Sequence, residues 1–390
     1  MTTFFRQLPA LFSPAVIVAI LLTGLLTGLS GCDDQDEQPD PSLPPPSASW
    51  EQLPGWHNDR HGEAWPALLS NCRVMPKKAD EWKTICDAAG KLTDPDDETV
   101  RRFFESYFEP EQLLSENGDP EGLMTGYYEP LLHGSFTPDE RYKYPLYKTP
   151  EELLIVDLSS LYPELKGKRV RGRLVGNKVL PFYDRAAIDG EEQPLKGQEI
   201  LWVDNRDDAF FLQIQGSGRV QLPDGKIIGV GYDNQNGHPY VSIGKKLIES
   251  GKADRQHMNL FTLKDWLREN DAEAQALLNE NPSYVFFNLR EDVEEGPRGS
   301  LNVPLTAERS IAVDRNRISL GSALWVDTRY PDESPLQKLV FAQDTGGAIR
   351  GELRGDFFFG TGEQAEYHAG RMKQSASFYL LKPRAISVSN

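Results

Sequence analysis

Ala342-Gln343-Asp344-Thr345-Gly346-Gly347-Ala348-Ile349 is followed closely by Arg354-Gly355-Asp356-Phe357-Phe358-Phe359-Gly360, and the two stretches together decide how the chain is read. Each sets an aspartate at a strand end or next to glycine, close to an apolar run. A third aspartate, Asp314, ends Ile311-Ala312-Val313-Asp314 in a similar way. Strand-end carboxylates beside glycine can approach a bound molecule closely. Apolar neighbours such as Phe357 would desolvate a carboxyl and raise its pKa, as a general acid requires. Taken singly, each aspartate reads equally well as an Asx-turn or a cap.

Around these stretches the C-terminal part reads as strands at 310–313, 323–327, 338–342 and 378–381. A second cluster lies upstream at 169–175, 200–203, 209–215, 219–222 and 226–230, with Pro223-Asp224-Gly225 as a turn. Helices are fewer. Asp94-Pro95 opens one with Asp96, Asp97 and Glu98 at its positive end, and Val100, Phe103, Phe104, Tyr107 and Phe108 form one apolar face. That aromatic stripe is a core face rather than a ligand box. A second helix starts near Thr262, with Asp265 completing a variant capping box, and stops before Pro282. A third spans about 242–250 and ends on Gly251. The pattern predicts a mainly β protein of two units with a few helices.

The N-terminus has one positive charge at Arg6, an uncharged apolar run at 14–29, and Leu29-Ser30-Gly31-Cys32. This order reads as a cleavable signal at 1–31 and not as a membrane span. Its ending resembles the lipobox of bacterial lipoproteins, which would make Cys32 the lipidated first residue. Residues 32–49 are acidic and then proline-rich, a composition that holds a body away from a membrane without folding itself. Asp33 resembles an inner-membrane retention signal of some enteric bacteria, so the periplasmic face of the outer membrane is expected with the inner membrane left open.

The chain carries a formal net charge of −17, and loss of Arg6 with the signal makes it −18. That excludes nucleic acid as a partner. Cys72 and Cys86 remain as a pair in an oxidising compartment, where a disulfide is expected. No Cys/His spacing suits zinc, the aspartate spacing does not suit a calcium loop, and no phosphate-binding or dinucleotide motif occurs. No metal and no cofactor are expected.

The aspartate stretches resemble the three-aspartate domain of the membrane-bound lytic transglycosylase A family. Gly126-Tyr127-Tyr128-Glu129-Pro130, Phe211-Leu212-Gln213-Ile214-Gln215-Gly216-Ser217-Gly218, Gly231-Tyr232 and Asn302-Val303-Pro304-Leu305-Thr306 match in the same order, so the resemblance covers about 120–385. It implies a double-psi β-barrel catalytic domain with a second, smaller β-domain inserted and a deep groove between them. The barrel would take residues 50–144 and 284–390, and the insert 145–283.

The resemblance also implies cleavage of the β-1,4 bond between N-acetylmuramic acid and N-acetylglucosamine in peptidoglycan. No water is used, and the muramic C6 hydroxyl closes a 1,6-anhydro ring. Asp356 matches the position of the single catalytic acid and base, Asp344 would tune it, and Asp314 would hold a turn. Tyr127, Tyr128, Gln213, Gln215 and Ser217 are the candidate sugar contacts; alternatively Tyr127 fills the core and Gln213 and Gln215 line an exposed strand face. Murein synthases and scaffold proteins are the expected protein partners. The alternatives are a hydrolase using Asp344 and Asp356 as a pair, and a non-catalytic glycan-binding lipoprotein.

Overall fold

A computed structural model describes residues 48–384 except 167, 169 and 292. The expected signal, Cys32 and most of the acidic segment lie outside the described residues. The described residues belong to one compact unit.

Seven strands make the first sheet, in the order Phe108–Gln112, Lys373–Pro383, Ala323–Arg329, Pro335–Asp344, Ser310–Val313, Arg354–Thr361 and Gly122–Glu129. Gly122–Glu129 also pairs with Lys373–Pro383, so the pairing returns on itself through six strands. Two pairings are parallel: Ser310–Val313 with Pro335–Asp344, and Arg354–Thr361 with Gly122–Glu129.

Side chains alternate across this sheet as the pleat dictates. Leu324, Val326, Val340, Ala342, Phe357 and Phe359 fill one core. Ala323, Trp325, Leu339 and Phe341 face the other way, onto Trp56, Trp65, Phe104 and Phe108 of the N-terminal segment. There the helices Trp65–Cys72 and Glu81–Ala89 are joined by the Cys72–Cys86 disulfide. Buried Arg309 fixes the segment to the sheet through Asp59 (2.7 and 2.8 Å) and Glu63 (2.9 Å). The helix Asp97–Tyr107 has Asp96 as its cap, and Phe108 already belongs to the next strand.

After Glu129 the chain leaves this sheet and does not return until Ser310. Between them stands a six-stranded sheet: Val285–Arg290, Ile227–Gln235, Ser217–Gln221, Leu131–Ser135, Glu199–Val203 and Tyr144–Tyr147. Leu131–Ser135 and Val285–Arg290 lie outside the 145–283 read from sequence. A three-stranded sheet of Leu154–Ile155, Arg171–Val175 and Lys178–Leu180 is attached to it.

Two sequence readings are corrected. Residues 209–215 are not a strand but part of the helix Arg206–Gln215. Asn205 caps it by accepting from the amides of Asp207 and Asp208, both of which suit the positive helix end, and Gly216 ends it at φ +83°. The helix Leu260–Glu269 starts two residues before Thr262, because Asn259 and Thr262 form the capping box rather than Thr262 and Asp265. Asp356, beside Gly355 as read from the sequence, lies inside Arg354–Thr361.

Candidate active site

A cleft of about 900 Å³ opens between the two sheets. The first sheet contributes Tyr127, Ala312, Asp344 and Asp356, and the other side contributes Gln213, Gln215, Ser217 and Asn288.

Strand pairing brings the acids together. Asp344 and Asp356 stand in register with Ala312 from opposite sides. Two inter-strand spacings put their backbones about 10 Å apart, and the small Ala312 between them leaves the floor of the cleft open. On the far side of Asp356, the register places Thr125 beside it. Alternate residues share a face, so Thr125 and Tyr127 lie with Asp356 and Phe358. Phe358 packs with Tyr127, Leu305, Ala312 and Ile349 under the cleft, while Phe357 and Phe359 enter the core behind. Gly126 is needed at its place: a Cβ there would come within 2.9 Å of the Ala369 backbone, in the helix Glu363–Arg371.

Asp356 lines the cleft yet is enclosed by protein on its other sides. Burial pushes its carboxyl up to about 6, with the Asp344 charge adding to the rise. The Thr125 hydroxyl, which donates to Asp356 Oδ1 at 2.5 Å, and the Arg354 cation act in the opposite sense. Arg354 in turn donates to Thr125 Oγ1 at 3.0 Å, so the three side chains form a relay.

Asp344 is held differently. Its Oδ1 accepts from Ser300 N (2.9 Å), Ser300 Oγ (2.9 Å) and Thr345 N (2.8 Å), and its Oδ2 accepts from Tyr127 OH (3.3 Å). Burial still raises its pKa against these donors. Asp314 is buried but does not line the cleft. Burial alone would raise its pKa. The amides of Asn316 and Gly351 and the nearby Arg350 outweigh that and lower it. Those bonds hold the turn after Ser310–Val313, a structural task.

Of the candidate sugar contacts, Tyr127, Gln213, Gln215 and Ser217 line the cleft. Gln215 lines the cleft and its carbonyl oxygen accepts from the Tyr128 amide at 3.0 Å. Gln213 is buried, and its carbonyl oxygen is taken by Arg185 Nη2 (2.8 Å) and Val285 N (3.2 Å). It lies on a helix and not on an exposed strand face. Tyr128 points away from the cleft; its hydroxyl donates to Glu366 at 2.9 Å. Period two makes this unavoidable, since Tyr127 and Tyr128 are neighbours in one strand. Sequence reading missed Thr125, Arg354 and Ser300.

The junction of the two sheets is ionic. Glu129, the last residue of its strand, is buried and binds Arg219 Nε at 2.9 Å and the Arg290 guanidinium. No group of three or more His, Cys, Asp or Glu side chains suited to a metal occurs among the described residues.

Two sheets enclose a cleft in which a carboxyl is held ready for protonation, an arrangement suited to acid–base chemistry. The "MltA specific insert domain" family matches residues 123–288, and the "3D domain" family matches 309–382. The membrane-bound lytic murein transglycosylase A of Vibrio cholerae is 32% identical over 68% of this chain and 67% of its own length. A membrane-bound lytic murein transglycosylase from Agrobacterium tumefaciens superposes with a TM-score of 0.78 at 31% identity, covering 87% of this chain and 97% of that one. The lytic transglycosylase LtgG of Burkholderia pseudomallei is 40% identical at a TM-score of 0.59, covering 88% and 98%. The chain belongs to the membrane-bound lytic murein transglycosylase A family of enzymes. It spans about two thirds of the length of the curated relatives it matches.

Proposed function

We propose that this protein cleaves the β-1,4 bond between N-acetylmuramic acid and N-acetylglucosamine in peptidoglycan, without water, leaving a 1,6-anhydro-muramic end. The ring of six strands is taken as a double-psi β-barrel and the sheet between Leu131 and Arg290 as its insert. The observation that carries the reading is the contrast between the two acids. Asp356, with a pKa of about 6, can be protonated in the cleft and donate to the glycosidic oxygen. Its carboxylate then takes the proton of the C6 hydroxyl as that oxygen closes on C1. Asp344 has four donors on its two oxygens, which leaves it poorly placed to activate a water. A hydrolase of the inverting kind needs a second, free carboxylate for that step. An intramolecular attack does not, because the nucleophile is tethered and oriented already.

In this reading Asp356 is the catalytic acid and base, and Asp344 holds Tyr127 and adds negative potential. Tyr127, Gln215 and Ser217 face the sugar chain. Cys32 carries the lipid on the periplasmic side of the outer membrane. The test is mass analysis of products released from murein sacculi. Muropeptides lighter by one water, with an anhydro end, are expected; reducing ends would make the enzyme a hydrolase, and binding without release would make it a scaffold.

A further inference from the structure

Eight of the eighteen large apolar side chains exposed among the described residues fall within residues 155–180, the small three-stranded sheet and its approach. Ile155, Leu161 and Leu174 are the extremes, at 63%, 69% and 63% exposed. Such a concentration marks a contact surface rather than scattered surface residues. Its charge is equally out of character. Residues 154–180 hold six Lys and Arg against Asp157 and Glu164, a net +4 in a chain of −17.

The charges divide into two sets. Arg173 stacks on Tyr183 at 4.3 Å, and Arg171 donates to Asn234 at 3.2 Å, so these two tie the sheet to the body. Lys166, Lys168 and Lys178 are exposed, and none of them forms an ion pair among the described residues. Lys178 sits at the tip of the hairpin Arg171–Val175 and Lys178–Leu180, whose exposed Leu174 and Val179 lie on one face and Val175 and Leu180 on the other, and Lys166 and Lys168 are in the segment that leads into it.

We propose that this sheet docks on an anionic lipid bilayer surface, and so sets the orientation of the cleft to the membrane. The occupant must be negative and must accept isolated aliphatic side chains at once, which lipid headgroups over acyl chains do. A second copy seated on the same patch would oppose like charges. A glycan strand would leave the aliphatic side chains without a partner.

The test uses residues 48–390, without signal or lipid, sedimented with vesicles. One set is pure phosphatidylcholine; the other contains 30% phosphatidylglycerol, a composition of about one anionic lipid in three. Binding is expected to the anionic vesicles only and to fall with added salt. Lys166→Gln, Lys168→Gln and Lys178→Gln together should weaken it about a hundredfold, at roughly fivefold per charge. Leu174→Ser with Val179→Ser should weaken it at low salt as well. Both variants should keep wild-type cleavage of soluble glycan, which also certifies their fold. Equal binding to neutral vesicles, no binding to either, or variants that bind like the wild type would overturn the proposal. Capture of an acidic protein in place of lipid would do the same.

Discussion

Replacing Asp356 by Asn should abolish cleavage and at the same time stabilise the protein, but only at neutral and alkaline pH. In the folded chain the carboxyl titrates at about 6, against 3.8 when unperturbed. The folded state therefore binds this proton more tightly than the unfolded state does. Above pH 6 the carboxyl must ionise in a site that disfavours the charge, and folding carries the full cost. Below 3.8 both states are protonated and the cost vanishes. A difference of about two pH units at about 1.4 kcal/mol each is about 3 kcal/mol. The cleft admits some water to the carboxyl, so that figure is a ceiling. The side-chain amide of the Asp356→Asn variant would keep an acceptor for the Thr125 hydroxyl and carry no charge. Urea unfolding of the two proteins should show the variant ahead by up to about 3 kcal/mol at pH 8, with the gap shrinking through pH 6 and gone near pH 4. A gap that is absent at pH 8, or the same at every pH, would refute the burial argument. Residual release of muropeptides would refute the role of Asp356.

Thr125→Val removes a donor to the charged form of Asp356, so the alkaline limb of the activity profile should move up, by about one to two pH units for a bond of that kind. Asp344→Asn removes a negative neighbour and should move the same limb down while leaving measurable turnover. If both variants shift the limb in one direction, the electrostatic account of the site fails. Glu129→Gln leaves two partly buried arginines without their anion and should cost about 3–5 kcal/mol in a urea titration. An unchanged midpoint would mean that the clamp between the sheets contributes nothing.

The parts of the fold written in local periodicity were legible in the sequence. The 323–327 and 338–342 runs alternate their apolar side chains between two cores, as strands with both faces covered must. The helix at Arg206–Gln215 was missed because a short apolar run fits a strand and a buried helix equally well. Its deciding signals, Asn205 before two aspartates and Gly216 after the last turn, were nonetheless present. Asp344 and Asp356 could be named because glycine and apolar neighbours frame them. Thr125 could not. It is 231 residues from Asp356 and reaches it only through a parallel pairing between strands, for which no short motif exists. Arg354 and Ser300 were missed for a related reason: their roles are defined by partners elsewhere in the chain. Tyr128 was placed in the cleft against the pleat, since Tyr127 was already assigned to that face.

The strand Gly122–Glu129 closes the six-strand ring, and both of its partners come from the last fifth of the chain. A ribosome adding about 5–20 residues per second needs roughly 10–50 s to reach Asp356 after Thr125 has been made. During that time the strand has no partner, and neither the relay to Asp356 nor the floor of the cleft can form. In the proposed reading a fragment interrupted before residue 354 lacks both partners of this strand and the carboxyl of Asp356, and is expected to be inert.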